Sequence, residues 1–141
     1  MSWGLPEKLK RRALRLFEET MDDKDKGYYD ISSFHCEQAV QLYVKAVLLE
    51  LFGKEYEGHG IRSLLSYLSD LLEKNEYHEE AKRVRDFVRE RRSSLVTLDD
   101  SYIEGRYEDV EFSEEDADEM IKLAKDTISM LEEVVRSVKS G

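Results

Sequence analysis

The sequence predicts an all-α fold: an up-and-down bundle of four to five helices forming a single domain over residues 1–141. Three observations predict it. One proline and seven glycines in 141 residues leave few places to break a helix. The chain is rich in Leu, Lys, Glu and Arg, which favour helix. Apolar positions recur at spacings of three and four, in segments joined by short polar connections.

The first helix is expected from Pro6 to Met21. Pro6 suits a first turn, and Leu9, Ala13, Leu16, Phe17 and Met21 form one apolar stripe. The charged run "DDKDKG" is expected to end it. The second helix spans Ile31 to Phe52, with Asp30 as N-cap and Gly53 past its C-terminus. Its second half is apolar on nearly every side, which predicts a central helix. The loop "GKEYEGH" leads to a third helix over 60–74, striped by Ile61, Leu64, Leu65, Leu68, Leu71 and Leu72. A break at "KNEYH" precedes a fourth helix over 77–105, with a kink or exposed segment expected in its polar middle, "RERRSS". The fifth spans 114–138, opened by a Ser113–Asp116 capping box with acids in its first turn. No internal repeat or low-complexity segment divides the chain.

Composition narrows the function. Hydrophobic residues are 40% and charged residues 38%, a globular profile with a strongly charged surface that is also compatible with a thermophilic source. A lone cysteine, no apolar run of membrane-spanning length and no hydrophobic leader in "MSWGLPEKLKRRALRLF" predict a cytoplasmic protein. The net charge of −10 argues against broad nucleic-acid binding, DNA in particular. Charge is uneven, however. Lys8, Lys10, Arg11, Arg12 and Arg15 make one basic patch, and Lys82, Arg83, Arg85, Arg89, Arg91 and Arg92 a second. Residues 99–119 carry eleven acids against Arg106 alone. Each basic patch is either a solvated helix face or a meeting point for an anion or an acidic partner.

Few side chains are arranged for chemistry. His35 and Cys36 are adjacent, so on a helix they point about 100° apart and chelate one ion poorly. Neither Cys-x-x-Cys, His-Glu-x-x-His nor Glu-x-x-His occurs, and no metal or other cofactor is expected. The acids of 108–116 lack the spacing and central glycine of a calcium loop. Phosphate-binding glycine motifs and the Gly-x-Ser-x-Gly elbow are absent too. Cys36 reads as a core thiol. Lys45, inside the most apolar stretch, "QLYVKAVLLELF", must snorkel, pair with an acid or face a polar interface; Gln41 shares its face.

Three segments, "SFHCEQAVQLYVKAVLLELFG", "HGIRSLLSYL" and "LDDSYIEGRYED", together resemble the HEPN domain family (higher eukaryotes and prokaryotes nucleotide-binding). Phe34, Gln38, Ala39, Lys45, Ala46, His59, Leu64, Leu65, Leu98, Asp99, Tyr102, Ile103, Arg106, Tyr107 and Asp109 carry the resemblance, in the family's order over about 25–135. It implies a helical bundle, often a homodimer, frequently encoded beside a minimal nucleotidyltransferase with which it forms a toxin–antitoxin pair. It also implies, for many members, a metal-independent ribonuclease. There an Arg, four to six residues and a His meet at the dimer interface, the His exchanging a proton with the ribose 2′-hydroxyl and the Arg holding phosphate.

This chain lacks that signature. Its histidines are 35, 59 and 78, and positions 28–30, 52–54 and 71–73, where the arginine would stand, hold none. In its place Asp99, Tyr102 and Arg106 are expected on one helical face at spacings of three and four. Three functions follow. The first is an interaction module, dimeric and bound to a nucleotidyltransferase, with no catalysis of its own; Tyr102 or Tyr107 would accept adenylate from that partner by the resemblance. The second is a divergent ribonuclease using Arg106 and Tyr102 or Tyr107 with an acid such as Asp99. The third is a nucleotide-binding domain with Lys45 and Arg106 as phosphate contacts and Asp99 and Tyr102 beside them.

Overall fold

The computed structural model describes residues 4–58, 60–102 and 111–141. Among them the architecture is all-helical: α1 (Leu5–Asp25), α2 (Tyr29–Phe52), α3 (Ile61–Lys74), α4 (His78–Glu90), α5 (Arg92–Asp100) and α6 (Glu114–Ser140). The count exceeds the predicted four to five because the expected fourth helix is two.

Helix α1 runs past Met21 to Asp25. Charged residues on a solvated face do not stop a helix; a positive φ does. Gly27, at φ 81°, turns the chain, its N–H bonding Lys24 O at 2.9 Å while the Tyr28 N–H bonds Asp23 O at 2.8 Å. That turn delivers the chain into α2 earlier than expected. Tyr28 is the N-cap residue, and Asp30 lies inside the first turn instead of capping it. The inner face of α1 continues through buried Ala13 and Thr20, which leaves Met21 exposed instead of in the core stripe.

Helix α2 is central, packing against α1, α3, α5 and α6. Cys36, Val40, Val44, Val47 and Leu48 are fully buried along it. Gly53 ends it in the left-handed region, φ 62°, as the sequence predicts. A similar turn closes α3, but with Glu76 at φ 68°, where the Tyr77 N–H bonds Leu72 O at 2.8 Å.

The break between α4 and α5 falls at Arg91, within the predicted kink. The apolar line Val84, Phe87, Leu95, Leu98 reaches Arg91 where it should carry a hydrophobe. The guanidinium lies over the Phe87 ring, 4.7 Å from its centroid, and bonds Asp126 of α6 at 3.2 Å. Reorienting the chain there lets Leu95 and Leu98 return to the core with zero exposure. The expected helix to 105 therefore ends at Asp100, with Tyr102 in the following turn; 103–110 lie outside the described residues. Helix α6 opens with the predicted capping box, the Asp116 N–H bonding Ser113 Oγ at 3.1 Å and the Ser113 N–H bonding Asp116 Oδ2 at 2.9 Å. Among the described residues no helix is long and apolar enough to cross a membrane.

Candidate functional site

The start of α3 has no cap of its own. Gly60 precedes it with extended backbone and no side chain to accept a hydrogen bond. The acceptor comes from the last turn of α5. Asp99 Oδ1 accepts the Ile61 N–H at 2.5 Å, and Asp99 Oδ2 accepts the Arg62 Nε–H at 3.0 Å. A carboxylate at a helix N-terminus is favoured by the backbone dipole as well. Asp99, expected to meet a ligand, thus has each oxygen engaged in joining α5 to α3.

Beside it α2 carries a polar ladder at helical spacing. Gln38 Nε2 donates to Glu37 Oε1 at 2.8 Å, Gln41 Nε2 to Glu37 Oε2 at 3.1 Å, and Lys45 Nζ to Gln41 Oε1 at 3.1 Å. The shared face of Gln41 and Lys45 is as the sequence predicts. Its innermost member is the residue that sequence reasoning left out of the site. Glu37 is fully buried, and that burial pushes its carboxyl to about 7 against the amide bonds from Gln38 and Gln41; the Asp99 charge adds to the rise and Lys45 opposes it. The available signal was an acid inside an apolar helix one turn before Gln41.

Tyr102 packs at the same end, its ring stacked on Phe34 with centroids 6.2 Å apart. His35 Nδ1 pairs with Asp23 Oδ2 at 2.7 Å, and His78 pairs with Glu73. Cys36 is buried, its thiol pushed up to about 12 by desolvation, so it is inert as a nucleophile. Arg106 and Tyr107, and His59, Ile103 and Asp109 of the resemblance, lie outside the described residues.

Two depressions of about 450 Å³ and about 520 Å³ adjoin along α3, sharing Arg62, Ser66 and Asp70. The first has an apolar floor of Leu65, Val84 and Val88, rimmed by Arg85, Arg89 and Arg92. The second holds Asp99 and the Tyr56–Tyr67 pair, whose rings stack at 5.1 Å. Most of the guanidinium charge is already met. Arg85 bonds Glu73 at 2.7 Å and lies 3.4 Å from Asp70, Arg89 bonds Asp86 at 2.6 Å, and Arg62 is held by Asp99. Arg92 makes no ion pair among the described residues. Such a groove offers planar stacking surfaces and guanidinium groups, the elements that hold a base and a phosphate. Among the described residues no three His, Cys, Asp or Glu side chains gather as metal ligands would.

A family model described as HEPN domain matches residues 6–134 of the chain. No curated protein and no solved structure matches it.

Proposed function

We propose that the chain, which belongs to the HEPN domain family, is an interaction module of a toxin–antitoxin type: it self-associates, binds a minimal nucleotidyltransferase partner, and does not itself cleave RNA. The observation that carries this reading is the engagement of Asp99 with Ile61 and Arg62. A carboxylate whose two oxygens tie two helices together is poorly placed to act on a substrate, because releasing it would break both bonds. The lack of an Arg-x4-6-His pair supports the same reading, as does the pairing of His35 with Asp23. The two described histidines are each held by a carboxylate, His35 by Asp23 and His78 by Glu73.

Co-expression with a minimal nucleotidyltransferase tests the proposal. The two chains should co-purify, and the purified HEPN chain should leave RNA intact. A chain that ignores that partner sinks the reading. RNA cleavage that disappears in Arg106→Ala would instead establish the divergent ribonuclease.

The groove along α3 favours a second reading, nucleotide binding, with Tyr56 and Tyr67 as stacking rings and Arg62 as the phosphate contact. A ligand specific to the native state at 100 times its Kd stabilises by about 2.7 kcal/mol. Saturating nucleotide should therefore raise the melting temperature, and Tyr67→Ala should remove the rise. A flat screen across common nucleotides eliminates this reading.

A further inference from the structure

Five large apolar side chains are exposed among the described residues, and all fall between residues 5 and 31: Leu5, Leu14, Met21, Tyr28 and Ile31. Leu14 and Met21, 44% and 41% exposed, stand two turns apart on one line of α1. Tyr28 and Ile31 belong to the cap and first turn of α2, and Leu14 and Met21 form the exposed apolar line of α1 itself.

The same helix is polarised in charge. Its first half carries Lys8, Lys10, Arg11, Arg12 and Arg15 against Glu7 alone. Its second half carries Glu18, Glu19, Asp22, Asp23 and Asp25 against Lys24 alone. The last turn thus places three aspartates at the carbonyl end, where the helix dipole favours cations. The fold answers only part of this charge: Lys10 pairs with Glu50, Lys24 with Asp118 and Asp23 with His35. Arg11, Arg12, Arg15 and Glu18 make no ion pair among the described residues.

We propose that this face of α1 seats a second copy of the chain, the two α1 helices packed antiparallel with Leu14 on Leu14 at the two-fold axis. The inference rests on the reading that the chain self-associates, and it assigns the surface. Antiparallel pairing sets each basic half against the partner's acidic half; parallel pairing would set like against like. Arg11 lies three positions before Leu14 and Glu18 four positions after it, on the same side of that line. Two-fold symmetry preserves that side, so Arg11 of each copy meets the partner subunit's Glu18 and the bridge forms twice.

Light scattering on the purified full chain tests this. The wild type should show twice the 16.6 kDa chain mass. Leu14→Glu should show the single-chain mass with its helical circular dichroism unchanged, since Leu14 is outside the core. Arg11→Glu and Glu18→Arg should each give the single-chain mass, and the double variant should regain the dimer by restoring both bridges with reversed sign. Rescue in the double variant decides the matter even if Leu14→Glu fails to fold. A wild-type dimer that none of these substitutions disturbs overturns this surface while self-association stands. A wild-type mass of one chain overturns both and leaves the face to another occupant.

Discussion

Asp99 and Ile61, 38 positions apart in sequence, are joined by a hydrogen bond of 2.5 Å from the Ile61 N–H to Asp99 Oδ1. This bond gives α3 the N-terminal acceptor its own sequence lacks, and it positions the second depression of the groove. Removing an N-terminal acceptor costs about 0.5–2 kcal/mol, and the lost Arg62 contact adds to it. Asp99→Ala is therefore expected to lower stability by about 2 kcal/mol, a fall of roughly 5–10 °C in melting temperature. Asp99→Asn keeps an acceptor for Ile61 and should lose less. Thermal melts of both variants check this; an unchanged melt in Asp99→Ala would return Asp99 to a ligand-binding role.

Glu37 makes stability depend on pH. Its ordinary value of 4.5 rises to about 7 in the fold, so its raised affinity for a proton favours the native state at low pH. That contribution is complete below about 4.5 and is lost as pH rises through about 7. The full swing is at most roughly 3.5 kcal/mol, taking about 1.4 kcal/mol per pH unit. Glu37→Gln should melt close to the wild type at pH 5 and above it at pH 8. Equal melting temperatures at pH 8 would remove Glu37 as the source. Asp99→Asn should also pull the Glu37 titration downward, because the Asp99 charge helps to raise it.

Glu50 has the opposite sign. Burial raises its carboxyl, but hydrogen bonds and charge from Lys10 and Lys139 outweigh it, so its net shift is downward. Its contribution is present above its ordinary value of 4.5 and is lost as pH falls through its lowered folded value. Glu50→Gln should narrow the gap to the wild type in melts taken at progressively lower pH. A gap that stays constant across that acid range would show that neither lysine holds the charge.

Gly53 and Glu76 occupy the same backbone region at the ends of α2 and α3, with φ 62° and φ 68°. Only glycine does so without steric cost, which is about 1 kcal/mol for other residues. Gly53→Ala should destabilise by about 1 kcal/mol although a Cβ there would meet nothing within 4 Å, so the cost is conformational. Glu76→Gly should stabilise by a similar or smaller amount, less the entropy that glycine adds to the unfolded chain. Denaturant midpoints of the two variants moving in opposite directions would bear this out; a shared direction would refute it.

At the start of α6, Ser113 Oγ accepts the Asp116 N–H at 3.1 Å on an exposed helix end. Ser113→Ala is expected to cost about 1 kcal/mol. Urea denaturation should show the midpoint lowered with an unchanged slope. No shift would mean that the end of α6 frays without consequence.

Helices were legible wherever a local cause produced them. The stripe of α3, the all-round apolar α2, Gly53 and the Ser113–Asp116 box depend on residues a few positions apart, so spacing alone reveals them. The family was legible for the same reason, since its motifs lie within single helices. The extent of α1 is not legible in its charged run, which does not stop the helix; Gly27 supplies the turn. The division of the stretch 77–105 into two helices is not legible either, because Arg91 answers to Asp126 on another helix.

The candidate site divides along the same line. Sequence placed Lys45 and Gln41 on one face, and they bond there. It places Asp99, Tyr102 and Arg106 on one ligand-facing side, of which Arg106 lies outside the described residues, and it does not include Glu37. By itself, then, the sequence determined the helical class, most helix ends, the family and the absent ribonuclease pair, because each follows from periodicity or from residue identity within one segment. Only the tertiary structure decided that Asp99 serves α3, that burial raises the Glu37 carboxyl to about 7, and that Leu14 and Met21 stand exposed on one line of α1. Burial, and partners brought together from distant segments, set each of these, and neither is written in local spacing.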